Sequence, residues 1–265
     1  MKKRLCIYLF FFPMALLTHA QKGTTWNSKN CAVVLTYDDG LLVHLKNALP
    51  ALDSLRLRAT FYIADYSRSL DTNISKWRNA AITGHELGNH TLYHPCEGGR
   101  AGREFVTPMN DMNNYTVRRM TDEISTMNTL LKAIDGKAER TFAYPCGDMK
   151  IRDTFYLEPI KNTFVAARGV TSKLQQVQEV DLLNVGCYSV NGQSGEELIK
   201  VVKEAEAKGV LLVFLFHGVG GGHGLNVSLA AHSQLLHYLK QHEKDIWIAP
   251  MLEVAGFIRD RQPKK

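Results

Sequence analysis

At 265 residues the chain is long enough for one large barrel or one α/β domain with a full core, and no internal repeat or low-complexity linker divides it. Its formal charge of +6 falls to about +3 once the three cations of the first four residues are set aside. That mild balance, with no basic run carrying interleaved aromatics, argues against nucleic acid as a partner.

The first element in chain order is a leader. Lys2, Lys3 and Arg4 precede an apolar stretch from Leu5 to Leu17, and small residues at Thr18 and Ala20 mark a cut before Gln21. The stretch is short for a membrane span and is broken by Pro13, and no later stretch is apolar for long enough to cross a bilayer. The expectation is a signal peptide over residues 1–20 and a single domain over 21–265. The protein would be periplasmic or extracellular, with no stable membrane insertion once the leader is removed; the sequence leaves its oligomeric state open. Beyond the leader stand Cys31, Cys96, Cys146 and Cys187, an even number in a compartment where disulfides persist. Their spacing matches no metal knuckle, and a mixture of buried thiols with at most one bridge is expected.

Short apolar runs rich in β-branched and aromatic residues then recur at 31–37, 59–64, 140–144, 163–167, 182–188, 210–216 and 246–249. Helical patterns separate most of them. Leu45, Leu49, Leu52 and Leu55 mark one, despite Pro50. Met120, Ile124, Met127, Leu131 and Ile134 fall on one face of another. Ser194 and Glu197 form a capping box that opens a third, with Leu198, Val201, Val202 and Ala205 on its apolar face. Two more lie near 228–242 and 251–260. The alternation predicts parallel strands with crossover helices, as an open sheet or a barrel. Residues 95–114, rich in glycine, asparagine and charge, break the rhythm and read as a rim loop.

Chemistry gathers at the strand ends. The run CAVVLTY closes on Asp38, Asp39 and Gly40. Two adjacent carboxylates at the end of a core strand repel each other and call for a proton or a metal. The stretch GHELGNHTLYHP carries His85, His90 and His94, and a pair of histidines plus a distant carboxylate is a usual donor set for a divalent metal with open positions. His217 follows the longest apolar run and precedes a glycine-rich loop, a setting suited to proton transfer near neutral pH. His223, deeper in that loop, is the weaker candidate. In parallel α/β proteins functional groups collect at these C-terminal strand ends.

Taken together, TYDDG, HTLYHP and an apolar strand ending in LFH resemble the signature segments of the polysaccharide deacetylase family, the NodB-like carbohydrate esterases of family four. The resemblance runs through most of residues 31–260. It implies a distorted (β/α) barrel of seven or eight parallel strands forming one catalytic domain. It also implies a divalent cation, usually zinc, held by Asp39, His90 and His94. Asp38 would be the general base, His217 the general acid, and the backbone amide of Cys146, after Pro145, the oxyanion donor. The substrate would be an acetylated carbohydrate, with N-acetylglucosamine-containing polymers ahead of O-acetylated xylan.

Two departures stand out. The family's third motif carries an arginine that steadies the base, whereas Ala143 to Gly147 offer none. The fourth, an aspartate near a tryptophan, has no clear counterpart, with Asn191 and Asp181 in the right region. These gaps motivate a second reading, a carbohydrate-binding protein on a degenerate scaffold. The thiol of Cys146 reads as packing or a disulfide partner.

Overall fold

The computed structural model describes residues 25–263, so the leader read over residues 1–20 lies outside the described residues. Strand β1 (Cys31–Tyr37) is buried along its whole length. Its alternate side chains serve two cores, Val33, Leu35 and Tyr37 in the larger and Ala32 and Val34 in the smaller. This is why the run is apolar without a period of two. The strand is joined by β2 (Thr60–Ile63), β3 (Glu86–Asn89) and β4 (Phe142–Ala143). A small antiparallel hairpin, β5 (Lys150–Ile151) and β6 (Thr154–Phe155), then stands apart from the sheet. The sheet resumes with β7 (Ala167–Arg168), β8 (Tyr188–Ser189) and β9 (Leu211–Phe216). The short pair β10 (Gly218–Val219) and β11 (Asn226–Val227) follows, and β12 (Ile246–Ile248) completes the set.

The strand order is β7-β4-β3-β2-β1-β9-β8, with β12 beside the first half of β1, and every pairing in this sheet is parallel. Arg168 of β7 bridges to Val185, on the approach to β8, so the two outer strands come together through residues 182–189. The result is the distorted (β/α) barrel that the strand and helix alternation predicts.

Helices α1 (Leu49–Ser54), α2 (Leu70–Ile82), α3 (Val117–Asp135), α4 (Gly195–Lys208), α5 (Leu229–Gln241) and α6 (Met251–Arg259) flank the strands. The five apolar residues of the expected stripe on α3 are all buried. Ser194 caps α4 with both capping-box bonds formed. The helical pattern around residues 45–57 resolves differently, as a π-helical turn over His44–Ala48 leading into the six-residue α1. Pro50 sits in the first turn of α1, where its missing N–H costs nothing.

Helix α2 and strand β3 are among the elements that escape the sequence pattern. Helix α2 buries only Leu70, Trp77, Ala80 and Ala81, too few to declare a face. Strand β3 reads ELGN, and its polar residues are buried because the fold satisfies them. Glu86 accepts from the Thr60 and Thr141 hydroxyls and from the Thr141 and Leu252 amides. Asn89 donates to Ile124 O and Asn128 Oδ1. Among the described residues no helix is long and apolar enough to cross a membrane.

Candidate active site

Asp38, Asp39, His90, His94 and His217 share one cavity of about 670 Å³. Each reaches it from the C-terminal end of a parallel strand. The Asp38 amide donates to Phe216 O, which locks the end of β1 to the end of β9 and brings Asp38 and His217 side by side. The chain then turns sharply. Asp39 has φ +75° and Gly40 φ +61°, and a Cβ on Gly40 would lie 3.1 Å from Ile63. The positive φ and the close Ile63 side chain together favour glycine there.

The three candidate ligands converge. Asp39 Oδ1 lies 3.5 Å from His90 Nε2 and 3.4 Å from His94 Nε2, and all three atoms fall within 4.8 Å of one another. Donors about 2.1 Å from one tetrahedral ion sit about 3.4 Å apart, so the spacing suits a bound cation. The protonation pattern says the same. His90 Nδ1 donates to Ala143 O at 2.8 Å, which leaves its Nε2 lone pair directed at the carboxylate. Asp39 Oδ1 is buried without a hydrogen-bond partner. A lone pair facing an orphaned carboxylate oxygen is repulsive until a cation separates them. Burial pushes the pKa values of His90 and His94 down to about 4, so both imidazoles are neutral and available as ligands at pH 7.

Asp38 is 3% exposed. Burial alone would raise its pKa, but Arg168, His90 and His217 together hold it below the ordinary carboxylate range. Arg168, at the end of β7, donates to Asp38 Oδ2 in a fully buried ion pair. Asp38 Oδ1 is buried with no hydrogen-bond partner. Asp38 therefore has a guanidinium partner after all, from outside Ala143–Gly147. The sequence signal was a lone arginine ending an apolar run, TFVAAR, which composition alone would place on a surface.

At the end of β9, His217 Nδ1 is buried and unpartnered. Neither residue in the fourth-motif region supplies it. Asn191 Oδ1 accepts from Asn226 N, and Asp181 Oδ1 accepts from Leu183 N. The histidine is instead held through its backbone and ring face. His44 Nδ1 accepts from Leu41 N, so its Nε2 carries the hydrogen and donates to His217 O at 2.7 Å. His223 stacks on the His217 ring with centroids 4.7 Å apart and planes 15° from parallel. Its Nε2 lies 4.0 Å from Asp39 Oδ2, so the loop histidine given less weight in the sequence lines the site as well. Burial and then the Asp39 carboxylate raise the pKa of Tyr66, whose ring lies 5.1 Å from that of His94. Neither His44 nor Tyr66 carried a motif that could have singled it out.

Cys146 has φ +53° in the turn Pro145–Gly147 and lines the same cavity. Its thiol is bonded to Cys96, while Cys31 and Cys187 are free and buried, as the expected mixture of thiols and one bridge has it. The bridge ties the rim loop to the third-motif turn. Arg103, paired with Asp148, reinforces that tie, and Gly102, Arg103, Phe105 and Asn110 of the loop wall the cavity.

A model of the polysaccharide deacetylase family matches residues 27–158, the part that contains Asp38, Asp39, His90, His94 and Cys146. The chain belongs to the polysaccharide deacetylase family. Its fold is shared with a Mycobacterium smegmatis protein assigned to the polysaccharide deacetylases (TM-score 0.63, 16% identity, covering 88% of this chain and 91% of that one). It is shared also with the peptidoglycan N-acetylglucosamine deacetylase Bc1960 (TM-score 0.56, 19% identity, 88% and 91%). Among curated sequences, a gellan lyase of Bacillus sp. is 26% identical over 152 residues, 53% of this chain. The chain spans 5% of the length of that relative. Within the polysaccharide deacetylase pattern, this chain keeps the paired aspartates, the two histidines and the strand-end histidine. Its arginine beside Asp38 comes from β7, and His217 Nδ1 has no hydrogen-bond partner.

Proposed function

We propose that the protein is a metal-dependent hydrolase that removes acetyl groups from a carbohydrate containing N-acetylglucosamine. The observation that supports this most is the convergence in one cavity of a carboxylate–imidazole trio and a separate, arginine-paired carboxylate. A divalent cation, zinc by the donor set, would be held by Asp39, His90 and His94, where it would supply Lewis acidity to an acetyl carbonyl and acidify a water molecule.

The remaining work falls to groups of this chain. Asp38, held ionised by Arg168, accepts the proton of the attacking water at Oδ1. The Cys146 amide donates to the oxyanion that develops on the acetyl carbonyl. His217 gives a proton to the departing amine nitrogen or alkoxide. The apolar and aromatic wall of Tyr66, Phe105, Tyr144, Val170, Leu215 and Leu225 surrounds the acetyl group and limits water.

The alternative reading, a carbohydrate-binding protein without turnover, drew on two missing groups, and Arg168 removes one of them. Export fits this function, since the substrate polymer lies outside the cytoplasm. The Cys96–Cys146 bridge supports an oxidising compartment.

The test is acetate release from a panel of N-acetylated glucosamine oligomers and O-acetylated xylan, assayed in parallel. Release from the amide substrates, lost in Asp38→Asn, is the expected result. Release from esters alone favours the xylan esterase, and binding without release favours the binder.

A further inference from the structure

A second cavity, of about 480 Å³, opens between the rim loop and the β5–β6 hairpin. It adjoins the catalytic one. Arg103 lines the catalytic cavity and Asp148 lines the second, and the ion pair between them is the wall the two share. A chain of sugar units crossing that wall would place neighbouring units in the two cavities.

The charges of the second cavity are not balanced. Its two carboxylates are already paired, Glu97 with Arg100 and Asp148 with Arg103. Lys150 and Arg152 make no ion pair among the described residues, and Asp153, beside Arg152 in the hairpin turn, is not part of the lining. Two cations are thus left to face whatever enters. Phe155 lies opposite Lys150 on the hairpin, half exposed, with the ammonium 4.4 Å from its ring centroid. An exposed aromatic ring in a concave setting offers a flat apolar face of the kind on which a sugar ring lies through its C–H bonds.

We propose that this cavity is a subsite for an acidic sugar unit, one bearing a carboxylate, on the same polymer whose acetyl group occupies the catalytic cavity. Lys150 and Arg152 take the carboxylate and Phe155 carries the ring. The inference rests on the deacetylase reading for its polymer and deepens that reading from acetylated carbohydrate to acidic acetylated carbohydrate.

The experiment measures binding of tetragalacturonate, an acidic probe without acetyl groups, by titration calorimetry at low and moderate salt. Lys150→Ala/Arg152→Ala should weaken binding at least tenfold and flatten its salt dependence, while hydrolysis of 4-nitrophenyl acetate stays at the native level. Phe155→Ala should weaken binding and keep the salt dependence. Native-level binding in the double variant, or no binding by the native protein, overturns the proposal. Loss of probe binding in the double variant, with no acetate released by the native protein from any glycan, keeps the acidic subsite and overturns the deacetylase reading instead.

Discussion

Arg168 and Asp38 lie 130 residues apart in sequence and form an ion pair that is almost wholly removed from water. The pair sets the charge of Asp38, the proposed base. Replacing Arg168 by methionine leaves Asp38 as an uncompensated buried carboxylate, which costs about 3–5 kcal/mol of stability. Burial then acts unopposed by the nearest cation, so the Asp38 pKa rises. The acidic limb of the kcat/KM profile should move to higher pH in Arg168→Met and by less in Arg168→Lys. An unshifted limb would show that Asp38 is not the base.

On the proposed mechanism His44 is a positioning residue that acts through His217. It is fully buried, and its hydrogen bond to His217 O ties the π-helical turn to the end of β9. In His44→Ala the acid loop is released, and a displacement of about 1 Å is worth up to about a hundredfold in rate. Steady-state kinetics should show kcat falling with KM nearly unchanged. His44→Gln, which can still donate, should recover part of the loss.

Acid should loosen the fold before it protonates most carboxylates. Burial lowers His44 and His232 to about 4 from an ordinary value of 6.5, and His232 Nε2 shares a hydrogen bond with the Tyr37 hydroxyl inside the core. Between pH 6.5 and 4 the unfolded chain takes up protons at these sites that the folded protein refuses. Stability is therefore fully present above 6.5 and falls as the pH drops toward 4. At pH 5 each imidazole accounts for about 2 kcal/mol. Urea melts at pH 7 and pH 5 measure the loss, and His232→Gln should reduce the pH dependence.

The Cys96–Cys146 bridge closes a loop with a sequence separation of 50 residues and holds the rim loop against the third-motif turn. Chain entropy gives such a closure about 4 kcal/mol. Reduction should lower the melting temperature and raise KM for oligosaccharides, with a smaller effect on 4-nitrophenyl acetate. Equal effects on both substrates would show that the rim loop does not hold the sugar.

The parts legible in the sequence are those where one physical demand dominates. CAVVLTY and VLLVFLF had to be strands buried on both faces, and Ser194 with Glu197 had to open a helix. The paired aspartates and the histidines stood out because their residue types make no sense as core. What stayed hidden depends on partners far away in the chain. Strand β3 looks polar until Thr60, Thr141 and Asn128 are placed around Glu86 and Asn89. Arg168 looks like a surface cation until β7 lies next to β4 and aims it at Asp38. His44 gains its role only where the π-helical turn meets the end of β9. Cys96 and Cys146 could be paired only once the rim loop had folded over the turn at Pro145.

The proposed hydrolysis depends on a single cation site made by Asp39, His90 and His94. Its most direct test is acetate release from an N-acetylated glucosamine oligomer by metal-stripped protein titrated with zinc ion. Release should be absent at the start, rise with added zinc and reach its plateau at one equivalent per chain. Undiminished release from the stripped protein, or none at any zinc concentration, would contradict it.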